Sequence, residues 1–208
     1  MKKQSGMSLI ELLVSMVILA IVMAGVAKYI ANQSKLMRQD EMLTNMQQNV
    51  RAAMDVMIRD IRSAEYDTYY SPSTSPFRKF NTANADLCIF YTNLNNNASI
   101  DTSSDQSRNE TKGFRGPPTL VGDSVQTYTN LPGNWQSMAK NIDSLTFTYY
   151  NKNDSLIPTP VPAVRMGDIF SVQIRIVGKT PRPWTRQPLF YPKRELVTKV
   201  QIRSRQGV

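Results

Sequence analysis

One carboxylate in this sequence stands where a carboxylate is expensive. From residue 7 to residue 27 every side chain is apolar or small except Glu11. At about 1.5 Å per residue such a helix is as long as a bilayer core is thick. Charges inside membrane helices are rare and normally have a partner or a task. Glu11 can be read as a helix-end residue that snorkels to the interface, or as the neutraliser of a buried cation. The chain can generate that cation. Lys2 and Lys3 form a short basic leader, which should hold this end on the cytoplasmic side. A secretory signal is cut after its apolar region, whereas the obvious processing point here, Gly6–Met7, precedes it. A cut there would leave the apolar helix in place and create an α-amine at Met7, four residues from Glu11. On a staggered neighbouring copy or homologue that amine would meet Glu11, and apolar surroundings would strengthen the pairing.

Other chemistry is sparse. There is no histidine, which removes Ser/His/Asp and Cys/His hydrolytic arrangements and histidine-based metal sites. Cys88 is the single cysteine, so no intrachain disulfide can form, and in Leu-Cys-Ile-Phe it reads as a small buried hydrophobe. Asp101, Ser103, Asp105, Ser107 and Glu110 place oxygens at alternating positions, as a calcium loop does. Gln106 and Lys112 stand where an EF-hand needs glycine and a bidentate acid, so a solvated polar loop over 101–110 is the plainer reading. Gly178-Lys179-Thr180 resembles the end of a phosphate-binding loop, but position 173 is Gln and no helix signal follows. The formal net charge is +9, and residues 165–205 carry ten Lys or Arg against Asp168 and Glu195. Arg182, Arg186, Lys193 and Arg194, with Trp184, Phe190 and Tyr191 nearby, form a candidate patch for an anionic partner. Charge alone is weak evidence for nucleic acid.

These residues must be positioned by a helix and a sheet. No proline precedes Pro72, and 7–64 reads as one long helix. Its first half suits lipid. In its second half Leu36, Leu43, Met46, Val50, Ala53, Met57 and Ile61 make one stripe, while Gln48, Arg51, Asp55, Arg59 and Arg62 lie off it. The spacing of Arg51, Asp55 and Arg59 offers two i,i+4 pairs. Residues 66–85 read as a loop, 86–92 as a first strand, 93–116 as a long exposed polar loop, and 119–129 as holding a short strand. Alternation predicts strands over 142–150, 168–177 (with Ile169 out of phase, as at a bulge) and 195–203, joined by proline-rich loops. The fold class is α+β: an amphipathic half-helix lying on one antiparallel sheet. The organisation is leader 1–6, membrane half-helix 7–28, amphipathic half-helix 29–65 and β-rich domain 66–208.

Gly6-Met7-Ser8-Leu9-Ile10-Glu11-Leu12-Leu13-Val14 resembles the type IV prepilin signal, with Met7 where the family usually has Phe. The resemblance implies cleavage at Gly6–Met7 by prepilin peptidase, N-methylation of Met7, a pilin-like fold, and a role for Glu11 in assembly and register. More loosely, residues 51–62, 142–150 and 200–203 are similar to minor pilins of the PilW type and the related J-type pseudopilins. The expected protein is a non-enzymatic minor pilin without cofactor or metal. It would reside in the bacterial inner membrane as a single-pass protein, its domain outside the cytoplasm, and then in a pilus or pseudopilus. Expected partners are other major and minor pilins, prepilin peptidase, the inner-membrane assembly platform and, before assembly, lipid. A J-type pseudopilin of a type II secretion system and a DNA-uptake pilus component remain open alternatives, as do tip and shaft positions.

Overall fold

A computed structural model describes residues 8–64, 80–92, 110–117, 123–129, 135–180 and 193–202. The chain divides into two compact units, residues 1–44 and 45–208. A single helix, α1 (Leu9–Arg62), contributes to both.

In the first unit no described residue is buried. Leu9, Ile10, Leu13, Met16, Leu19, Ile21 and Met23 are all more than half exposed, and the helix is long and apolar enough to cross a membrane. The Ser8 carbonyl accepts the N–H groups of Glu11 (3.0 Å) and Leu12 (3.2 Å), which opens the helix. Ser15 and Ser34 donate their hydroxyls to the carbonyls of Leu12 (2.8 Å) and Ile30 (2.9 Å), so neither presents an unmet donor. The predicted stripe is buried only from Met46 onward. Leu36 is 55% exposed and Leu43 is half-buried.

In the second unit α1 buries Met46, Val50, Ala53, Met54, Met57 and Ile61, while Gln48, Arg51, Asp55, Arg59 and Arg62 are exposed. Among the described residues no ion pair joins Arg51 to Asp55 or Asp55 to Arg59. The helix's ion pair runs instead from Asp60 to Lys112 (3.1 Å), on a strand.

The strands form two antiparallel sheets rather than one. The first orders β1 (Phe80–Ala83), β2 (Leu87–Tyr91), β3 (Thr111–Arg115), β4 (Ser124–Thr129) and β5 (Trp135–Lys140) consecutively. The second orders β7 (Leu156–Ile157), β6 (Ile142–Tyr150), β8 (Ser171–Lys179) and β9 (Lys193–Gln201). One residue, Asn141, separates β5 from β6. It sits at φ 64°, a left-handed conformation that asparagine tolerates, and this turns the chain from one sheet to the other. The Ile142 N–H bonds to the Asp123 carbonyl (2.8 Å), and the Phe147 N–H to the Ala85 carbonyl (2.7 Å), which ties the sheets together. Phe80, Phe90, Phe114 and Tyr149 fill the core, with centroids 6.0–6.1 Å apart for Phe80–Tyr149, Phe80–Phe90 and Phe90–Phe114.

Several boundaries differ from expectation for identifiable reasons. The expected loop 93–116 contains β3, the central strand of the first sheet. Thr-Lys-Gly-Phe-Arg carries one large hydrophobe and a glycine, a poor strand pattern. The glycine is there for room: a Cβ at Gly113 would lie 3.0 Å from both the Cys88 carbonyl and Ile89 Cγ1. The expected loop 66–85 ends in β1, and β5 was hidden because among its residues only Ala139 is buried. The proline-rich stretch 151–167 holds β7 and most of a 3-10 helix, Ala163–Asp168. Ile169 is therefore not a bulge in β8. It caps that 3-10 helix and is buried before the strand begins. The bulge lies in β6, where the register shifts between Ile142 and Ser144 and the buried positions change phase from Ile142 to Leu145, Phe147 and Tyr149.

Gly178 is a point of close approach between helix and sheet. A Cβ there would stand 2.5 Å from Met46 Sδ and 2.6 Å from Val50 Cγ2. Met46 can swing away, but Val50 is held at its branch point. Gly178→Ala is expected to lower stability by about 1–3 kcal/mol, read from the urea midpoint. Adding Val50→Ala should recover part of the loss; an unshifted midpoint in the single variant would rule out this contact.

Candidate functional site

The candidate site begins on the first turn of α1. Glu11 is exposed there, beside a shallow groove along the helix lined by Ser8, Ile10, Val14, Ser15 and Ile18. A carboxylate at a helix N-terminus gains from the helix dipole, which accounts for its tolerance at this end. The dipole does not neutralise it. Among the described residues Glu11 has no ion-pair partner. Gly6 and Met7 lie outside the described residues.

The C-terminal basic segment is largely compensated where it can be seen. Arg175 donates two bonds to Glu195 (2.7 and 3.0 Å). This holds the exposed Glu195 carboxyl below the usual carboxylate range, and the pair fades as pH falls through that lowered value. Lys179 pairs with Asp123 (2.5 Å) and, at 3.8 Å, with Asp143. Lys193 pairs with Asp143 at 2.7 Å. Lys199 pairs with Asp154 and stands 3.8 Å over the Tyr150 ring. Of the candidate patch, Arg194 is exposed on β9 with no ion-pair partner among the described residues, and Arg182 and Arg186 lie outside them. Of the patch, Lys193 alone is thus seen in an ion pair. Trp184, Phe190 and Tyr191 are also outside the described residues.

The remaining sequence candidates lie elsewhere in the chain. Gly178-Lys179-Thr180 ends β8, where Gly178 makes room for α1 and Lys179 is ion-paired. Asp101, Ser103, Asp105 and Ser107 lie outside the described residues. Glu110 is buried at the start of β3, its carbonyl accepting the Thr92 N–H (2.8 Å), and no cluster of three or more metal-binding side chains occurs among the described residues. Cys88 is fully buried on β2. Burial pushes its thiol up to about 12, against a smaller opposing pull from the Tyr149 hydroxyl. Tyr149, whose hydroxyl donates to the Asn84 carbonyl (3.1 Å), is itself raised by burial first and by Cys88 second.

Two consequences follow for Cys88. A thiol held neutral and buried is inert, so a maleimide should label less than about a tenth of the native protein and all of it in denaturant, as read by mass. Because the folded value lies above the unfolded one, the stability tied to this thiol is complete below about pH 9 and declines as pH rises toward about 12. Rapid native labelling would show that Cys88 is reachable.

The long helix with its apolar first half, and the two antiparallel sheets, agree with the comparisons. Residues 1–27 match the family model described as prokaryotic N-terminal methylation motif. Residues 39–202, most of the chain, match the model described as prepilin peptidase-dependent protein B. No curated protein is similar enough to be matched. The chain belongs to the prepilin peptidase-dependent protein B family and is a type IV prepilin-like minor pilin.

Proposed function

We propose that this chain is a non-enzymatic structural subunit that starts or joins type IV pilus assembly. In this reading prepilin peptidase cuts between Gly6 and Met7 and methylates the new amine. The apolar half of α1 first holds the protein in the bacterial inner membrane, with the β-domain outside the cytoplasm. It then packs among the helices of other pilins, on the assembly platform and in the filament. Lipid and a helix bundle are similarly apolar, so one segment serves in both places. The observation that carries the reading is Glu11: one exposed carboxylate, without an ion-pair partner among the described residues, in the apolar half of α1.

The test is the mass and location of the protein. Membrane-extracted protein should begin at Met7 with one added methyl group, and part of it should be recovered with sheared filaments. Gly6→Ala should leave the leader attached. A chain that retains Met1 and stays wholly in the membrane would overturn the proposal.

A further inference from the structure

The outer face of the first sheet is not what a solvated face should be. Cys88, Phe90 and Phe114 are buried, so strand alternation turns Leu87, Ile89, Tyr91 and Arg115 outward. The register places Tyr128 on the same face, opposite Gly113, and Trp135 opposite Tyr128. All six of these outward side chains are half-buried. The wet side of an antiparallel sheet is ordinarily polar. Here large apolar and aromatic side chains surround one guanidinium, and the Tyr128 and Trp135 rings stand 5.3 Å apart at 69°.

Arg115 is fixed by its neighbours but not neutralised by them. Its Nε donates to Gln126 Oε1 (2.5 Å), and its Cζ lies 4.5 Å from the centre of the Trp135 ring. Both partners are uncharged, and among the described residues no carboxylate meets the guanidinium. With Nε engaged, the two terminal nitrogens remain as a pair of donors, spaced for the two oxygens of one carboxylate. The five strands of this sheet contain no Asp or Glu, against Lys112, Arg115 and Lys140. Lys112 lies on the other face and reaches Asp60. Lys140 is exposed, with no ion pair among the described residues. The second sheet differs: Arg175, Lys179, Lys193 and Lys199 each meet a carboxylate.

We propose that this face docks an acidic segment of another protein, with a carboxylate bound end-on by Arg115 and an apolar neighbour laid on Trp135 and Tyr128. Charge complementarity selects the occupant: a cationic face with no acid in its own strands leaves that role to the partner. Arginine, tryptophan and tyrosine are also the side chains that carry most of the energy of protein interfaces. A nucleic acid fits less well. Its backbone asks for a row of bases, and the groups between Arg115 and Lys140 on this face are the uncharged Ser124, Gln126 and Ser137. The same face of a second copy is repelled by like charge.

The test uses the full chain in detergent, carrying Trp184→Phe so that Trp135 is the one remaining tryptophan. The probes are blocked hexapeptides of threonine and leucine with a central glutamate or, in its place, glutamine. Followed by Trp135 emission, the glutamate peptide should bind at least about tenfold more tightly than the glutamine peptide, the usual worth of a charged hydrogen-bond partner. Arg115→Gln should erase that preference. Arg115→Lys keeps a cation beside Trp135 but loses the fork, so it should lose most of the preference even if the glutamine variant fails to fold. Arg175→Gln, on the other sheet, should retain it. A cluster that only staples β3 to β5 would shift the urea midpoint of Arg115→Lys while the parent binds both peptides equally. Equal binding, no saturation by about 5 mM of either peptide, or a glutamate preference that survives in Arg115→Gln would overturn the inference. So would tighter, Arg115-dependent binding of an oligothymidylate, which would assign the face to single-stranded nucleic acid.

Discussion

Glu11→Ala is expected to reduce recovery of the subunit in sheared filaments by at least about tenfold, with membrane insertion and leader removal unchanged. The reasoning is energetic. Removing one member of a desolvated ion pair strands the other, at a cost of about 3–5 kcal/mol, and 1.4 kcal/mol already corresponds to a factor of ten. In lipid the same change removes a charge from an apolar helix, which if anything favours insertion. Glu11→Gln keeps the shape and loses the charge, so it should behave like alanine. Quantitative blotting of membrane and filament fractions checks this. Equal incorporation of both variants would show that the carboxylate has no assembly role.

Phe90→Ala is expected to destabilise the second unit by about 3–5 kcal/mol, the cost of emptying a large aromatic site in a packed core. Phe90 has no exposed surface and lies between Phe80 and Phe114, each 6.1 Å away between ring centres. The surrounding strands cannot collapse easily, because β2 is paired along its length to β3 and along part of it to β1. For a domain whose total stability is of order 5–15 kcal/mol this is a large fraction. The urea midpoint of the full chain in detergent, followed by tyrosine and tryptophan fluorescence, gives the value. A loss below about 1 kcal/mol would mean that the site refills. Phe90→Leu, which fills most of the volume, should lie between alanine and the parent.

How much of this was legible in the residues depended on period and length. The apolar run with Glu11 and the unbroken helix could be read because 54 residues without proline leave no other regular structure. β6 was read to its boundaries because Leu145, Phe147 and Tyr149 alternate with threonines. β3 was not, because its stability comes from neighbours on both sides rather than from its own side chains, as Gly113 shows. The division into two sheets was also hidden, since it depends on one asparagine's backbone at Asn141. Pairs such as Lys112–Asp60, 52 residues apart, carry no local signal at all. The charge of the C-terminal segment was counted correctly, but its acidic partners Asp123, Asp143 and Asp154 lie outside that segment.

The strand order has a consequence for how the chain is made. Each sheet is built from strands consecutive in sequence, and Asn141 is the only residue between them. Contacts close in sequence form quickly, and domains tend to fold as they are delivered, N-terminus first. The five-strand meander can therefore close while β6 to β9 are still being synthesised. The later strands then arrive at a finished template, where the backbone of Phe147 finds Ala85 and that of Ile142 finds Asp123. Assembly in that order leaves no long strand edge waiting for a partner from the far end of the chain.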